Sequence, residues 1–151
     1  MQVVAPAASA DIERALWALR GYEVMALAVT GEGGPHVAGV YFAPEPAEGG
    51  VQLLVALAGG SRLERAMAAD PRVAFMCSPG NPSRWIQGSG HAVLVGDATR
   101  RAALFDRLIA HAAGARAFVD DPAALPGIIV VETVKVVEDA QGTPLRVRFG
   151  D

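Results

Sequence analysis

The sequence predicts a mainly β fold of the α+β class: an antiparallel barrel of six or seven strands with peripheral helices. Three observations carry this expectation. Strand-like apolar runs follow one another through short links. Helical patterns are few and do not recur after every strand, as a doubly wound parallel sheet requires. The 151 residues are 52% hydrophobic and 19% charged, enough apolar surface for one closed core. No linker, repeat or low-complexity segment divides the chain, so residues 1–151 read as a single domain.

The elements follow in order. Ser9 to Arg20 reads as a helix capped by Ser9 or Asp11, with Ile12, Leu16 and Leu19 on one face and Gly21 at its end. Tyr22 to Thr30 is an apolar β-type run, GEGGP a turn, and His36 to Phe42 the second strand of a hairpin. APEPAEGG reads as a loop and Val51 to Leu57 as the third strand. Ser61 and Glu64 form an S-x-x-E capping box, which starts a helix that Asp70-Pro71 ends. Arg72 to Cys77 is the fourth strand. Arg84 to Val95 is the fifth, with a bulge or bend at Gly88 and Gly90. Asp97 or Thr99 caps a helix to about Ala113, its apolar positions being Ala103, Leu104, Leu108 and Ile109. Phe118 to Leu125 reads as a loop or short helix and Ile128 to Val137 as the sixth strand. LRVRF pairs with it across AQGTP as an exposed edge strand.

Composition narrows the function. A net charge of −3 gives no electrostatic case for nucleic acid. No apolar run reaches the ~20 residues of a membrane helix. The opening segment lacks the basic region of a secretion signal. Cys77 is the single cysteine, so no internal disulfide forms, and a reducing, cytoplasmic compartment fits. Its place late in an apolar strand predicts a buried, inert thiol. The motifs of dinucleotide-binding, P-loop, GxSxG, CxxC and HExxH proteins are absent, and the three histidines show no metal-ligand spacing.

Three stretches carry chemistry. Gly59-Gly60-Ser61-Arg62 brings a close-approach backbone, a hydroxyl, first-turn N–H groups and a guanidinium together, a seat for phosphate. The same residues also read as an ordinary capped helix with a solvated arginine. Trp85, Gln87 and Ser89 share one strand face, suited either to a flat heteroaromatic ligand or to barrel packing. In HVAGVYF, His36, Ala38, Val40 and Phe42 share one face and Val37, Gly39 and Tyr41 the other. The small residues leave room for a ring system or simply pack a hairpin.

The order of these stretches resembles the pyridoxamine 5′-phosphate oxidase-like, FMN-binding split-barrel superfamily. The resemblance rests on Gly60-Ser61-Arg62-Leu63, Asp70-Pro71-Arg72-Val73 and Trp85 to Gly90, and spans roughly Val24 to Val95. It implies a split barrel, a homodimer and two FMN sites at the interface. It assigns the phosphate to Ser61 and Arg62, beside Gly60, with Leu63 where the family carries a second basic residue. Ring and ribityl contacts fall to Val55, Ala56 and Leu57, and to the His36 to Tyr41 strand. Trp85, Ile86 and Gln87 would approach from the partner subunit. The implied activity is FMN-dependent oxidoreduction of a small molecule. Vitamin B6 oxidation is not expected, because the C-terminal extension that holds that substrate has no counterpart here. A deazaflavin (F-420)-dependent reductase and a non-enzymatic flavin- or haem-binding protein are the alternatives, with His36 as the haem-ligand candidate. No catalytic residue and no metal site is assigned.

Overall fold

The computed structural model describes residues 8–31, 33–81 and 83–149. The opening residues read for a secretion signal lie largely outside that range, as does part of each of the GEGGP and SPGNPS turns. The elements are α1 (Ser9–Leu19), β1 (Val24–Gly31), β2 (Gly34–Ala47), β3 (Gly50–Ala58), α2 (Arg62–Ala69), β4 (Arg72–Cys77), β5 (Trp85–Leu94), α3 (Ala98–His111), α4 (Arg116–Val119), β6 (Ala124–Val137) and β7 (Leu145–Arg148). A short 3₁₀ turn, Ala113–Ala115, joins α3 to α4.

Strands run in the order β3-β2-β1-β4-β5-β6, and β6 pairs back with β3, so six antiparallel strands close a barrel; β7 is added at the edge of β6. Alternation places Met25, Leu27 and Val29 of β1, Val73, Phe75 and Cys77 of β4, and Phe42 and Val55 inside. A second apolar cluster lies outside the barrel, where Leu104, Phe105 and Leu108 of α3 cover Ala43, Leu54 and Ile128. Burial pushes the Cys77 thiol up to about 12, which leaves it protonated and inert.

Several boundaries differ from the sequence reading, each for a physical reason. Strand β2 does not stop at Phe42 but continues through Pro44 and Pro46 to Ala47, pairing Phe42 with Val55 and Ala47 with Gly50. The Phe42 N–H donates to the Glu23 carbonyl, away from β3. By alternation the prolines' missing N–H groups fall on that same side, so no bond to β3 is lost. Strand β6 starts four residues before Ile128 because Ala124 to Gly127 pair with Val55 to Ala58. Neither Ser9 nor Asp11 caps α1. Ala8 holds the cap position without a side-chain bond, and Asp11 sits in the first turn, where it complements the helix dipole. In α3, Asp97 is the cap, accepting from the N–H groups of Thr99 and Arg100. Phe105 is buried there and Ala103 is exposed.

The bulge falls between Ser89 and Gly90, as the glycines of β5 suggest. Their hydrogens are required by close approach. A Cβ on Gly88 meets Phe75 Cζ at 2.4 Å and the Thr133 oxygen at 2.5 Å. One on Gly90 meets the Val130 oxygen at 2.1 Å. No helix among the described residues is long and apolar enough to cross a membrane.

Candidate functional site

Helix α2 begins where the sequence places it. Ser61 is extended at φ −70° and ψ 161°, and its hydroxyl oxygen accepts the Glu64 N–H at 3.2 Å. Gly60, at φ +77°, turns the chain from β3 into the helix, and its carbonyl accepts from the Arg65 guanidinium. The capped turn spends one lone pair of Ser61 and leaves its hydroxyl proton for an acceptor. The N–H groups of Arg62 and Leu63 have no intrachain acceptor among the described residues, as the first turn of a helix requires.

This turn opens into a slot of about 380 Å³. Its walls come from β2 (Ala38 to Tyr41), the end of β3 (Ala56 to Ala58), Ser61, Leu63, Val24 and the Ala115–Phe118 segment. Gly39 forms its floor: a Cβ built there meets no atom within 4 Å, so the missing side chain is open volume. The Tyr41 and Phe118 rings pack tilted, at a 5.8 Å centroid separation and an angle of 53°, and form one wall of the slot. The Tyr41 hydroxyl lies against Gly114, where an added Cβ would come within 2.6 Å. Apart from Tyr41 and Ser61 the side chains are apolar. The geometry suits a flat, largely apolar ring system that ends in an anion at the start of α2.

The residues singled out from the sequence divide. Tyr41, Ala56, Leu57 and Ser61 line the slot together. Val55 points into the barrel interior, where it is 1% exposed. Arg62 is exposed and borders a neighbouring cleft with Gly31, Arg65, Ala66 and Ala69. His36 lies on β2 opposite Val29, half-buried and outside the slot lining. Ile86 is buried in the core, while Trp85 Nε1–H donates to Gln87 Oε1 at 2.8 Å on the outward side of β5. Val24, Leu63 and Phe118 were not singled out as site residues. Leu63 reads as a lost cation rather than a wall, and Phe118 sits in a segment with no periodic signal.

The slot continues onto an exposed sheet face. Register aligns Gly39, Ala26, Met76 and Gln87 in one row across β2, β1, β4 and β5, and Val37, Ala28, Ala74 and Ser89 in the next. Val37 is 61% exposed, Val24 50% and Met76 44%. At one border of this face Asp70 accepts from Arg72 at 2.8 and 3.0 Å and from Thr30 at 2.9 Å, which holds its carboxyl well below the usual range. His111, by contrast, is structural: its Nε2–H donates to the Tyr22 carbonyl at 2.8 Å.

No family model and no curated protein matches the sequence. Solved structures do. A Clostridium acetobutylicum protein related to general stress protein 26, of the pyridoxinephosphate oxidase family, superposes with a TM-score of 0.68 at 11% identity, over 91% of this chain and 93% of that one. A Mesorhizobium loti FAD-binding protein gives 0.65 at 21%, over 85% and 91%. A Mycobacterium smegmatis haem-binding protein gives 0.71 at 22% over 97% of this chain, which spans only 60% of its length. The fold of this chain is therefore the barrel of the pyridoxamine 5′-phosphate oxidase-like structures, the architecture that its Gly60-Ser61-Arg62 and Asp70-Pro71-Arg72-Val73 stretches imply.

Proposed function

We propose that the slot binds FMN at the interface of a homodimer and that the protein is an FMN-dependent oxidoreductase acting on a small organic molecule. One observation carries this reading: a glycine-floored apolar slot and a capped helix start with unbonded N–H groups meet in a single opening. Ala56, Leu57 and the Gly39 floor would hold the ring. The Ser61 hydroxyl and the N–H groups of Arg62 and Leu63 would hold the phosphate, with the dipole of α2 favouring its charge. The Arg62 guanidinium, on the neighbouring cleft, would act on that phosphate through solvent.

The bound flavin supplies hydride exchange, and this chain supplies position and exclusion of water. Tyr41, wedged between Phe118 and Gly114, fixes one wall of the slot. Val24 would keep the ring end apolar, and the Leu63 side chain adds an apolar wall beside the helix start. The dimer is supported by the exposed apolar rows, which adjoin the slot at Gly39 and Val24 and carry Gln87 at their far end. Two copies packed across these rows would bring the partner's Gln87 and Trp85 toward the slot. Among possible haem ligands the slot lining contains only Tyr41, which favours a flavin over a haem.

The test is the visible spectrum of freshly purified protein, followed by denaturation and identification of the released chromophore. Two flavin bands and free FMN are expected, or stoichiometric uptake of added FMN by colourless protein. A Soret band, or uptake of deazaflavin F-420 with none of FMN, would overturn the cofactor assignment.

A further inference from the structure

A second cleft, of about 770 Å³, lies at the junction of α1, the start of β5 and the end of β6, and shares no lining residue with the slot. The chain has two tryptophans, far apart in sequence, and both border this cleft. Trp17 is 73% exposed although its neighbours Leu16 and Leu19 on α1 are fully buried, so its indole is presented rather than packed. Trp85 forms part of the opposite wall, with the Lys135 ammonium 5.8 Å from its ring centroid. The floor is apolar: Ala18, Ile86 and Val136.

Charge at the rim is unbalanced. Arg20 and Arg84 both border the opening, and neither guanidinium has a carboxylate partner among the described residues. Glu138 is the one acidic side chain in the lining. A local cationic excess on a chain of net charge −3 is the reverse of what bulk composition would place there. An exposed indole, Trp17, and a half-buried one, Trp85, over an apolar floor select a flat ring, and two guanidinia without carboxylate partners among the described residues select an anion.

We propose that this cleft is a binding site for a planar aromatic carboxylate, its ring against the indoles and its carboxylate at Arg20 and Arg84. No residue of this cleft lines the slot of the same chain, and the proposal does not rest on the flavin reading; Trp85 alone is shared with the surface proposed to face the partner's slot.

The test is a titration of the ¹⁵N-labelled protein with 2-naphthoate, followed through the two indole N–H signals and by calorimetry. Both signals are expected to move together and saturate with one sub-millimolar Kd. The neutral isostere 2-naphthylmethanol is expected to bind several-fold more weakly. Arg20→Gln with Arg84→Gln is expected to weaken naphthoate roughly tenfold, each open ion pair contributing about a threefold share. Trp17→Ala is expected to weaken it roughly five- to tenfold. These positions are exposed or at the rim, so the variants keep the fold, which an unchanged methyl spectrum verifies. Movement of only one indole signal, equal affinity for the neutral isostere, or unchanged affinity in the double arginine variant would each overturn the proposal. So would loss of naphthoate binding in Gly39→Leu, which fills the slot and leaves the cleft untouched and would therefore place the naphthoate in the slot, or loss of binding as protein concentration rises, which would give the cleft to a second copy of the chain.

Discussion

Replacing Gly39 with leucine separates the slot from the fold that carries it. Gly39 lies in β2 opposite Ala26 in ordinary extended backbone, and its φ is not positive. A Cβ there meets nothing within 4 Å, so Gly39→Leu projects four carbon atoms into a slot of about 380 Å³ without touching the core. Removing a glycine from a strand stabilises by about 0.5–1 kcal/mol, through the smaller entropy lost on folding. For a chain of this size that raises Tm by about 1–4 °C. The same four carbons oppose a bound ring at a cost of about 1–3 kcal/mol, or roughly five- to 150-fold in Kd. Flavin fluorescence quenching measures the second quantity and thermal unfolding the first. Weaker FMN binding with an unchanged or higher Tm is the expected pair. An unchanged Kd refutes the slot as the cofactor site, and a Tm lowered by several degrees refutes the open volume at Gly39.

Other substitutions test single contacts. Ser61→Ala removes the cap on the Glu64 N–H and is expected to cost about 1 kcal/mol of stability in chemical denaturation, together with FMN affinity. Arg62→Ala, at an exposed position on the neighbouring cleft, is expected to raise the Kd only about two- to fivefold. Gly88→Ala drives a methyl into Phe75 and the Thr133 carbonyl and is expected to lower Tm by about 2–12 °C, from a strain of about 1–3 kcal/mol. The depressed Asp70 carboxyl gives stability that is complete above its ordinary value of 3.8 and is withdrawn as pH falls toward its lower folded value. Asp70→Asn should therefore lower stability at neutral pH and flatten the acid limb of a Tm-against-pH curve. An acid limb identical to that of the parent protein would show that the Arg72 and Thr30 contacts do not form in solution.

Local chemistry made much of the fold readable. The Ser61 cap, the Asp70-Pro71 stop and the glycines of β5 each act over a few residues, and each falls where its pattern indicates. What escaped depends on pairing partners. Pro44, Pro46 and Pro126 argue against strand locally, and only the side on which each edge lies decides otherwise. The site divides in the same way. Ala56, Leu57 and Ser61 lie close together along the chain, and the β2–β3 hairpin brings Tyr41 to them in the slot. Phe118 reaches Tyr41 only through the packing of α3 and α4, which no periodicity announces. Arg62 borders a cleft with Gly31 at the end of β1, a neighbour far from it in sequence that no local pattern points to.

Strand β6 pairs with β3, β5 and β7, joining Gln52 to Val130 and Trp85 to Val137. It is also the last strand of the barrel to be synthesised. Until it emerges, β3 and β5 each present an unpaired apolar edge, and the barrel is an open sheet. Closure is thus a late, long-range event, and the exposed edges before it are where a nascent or truncated chain meets another copy of itself. A chain cut before Ala124 keeps five of the six barrel strands but none of the seam, and its fate is self-association rather than a smaller barrel.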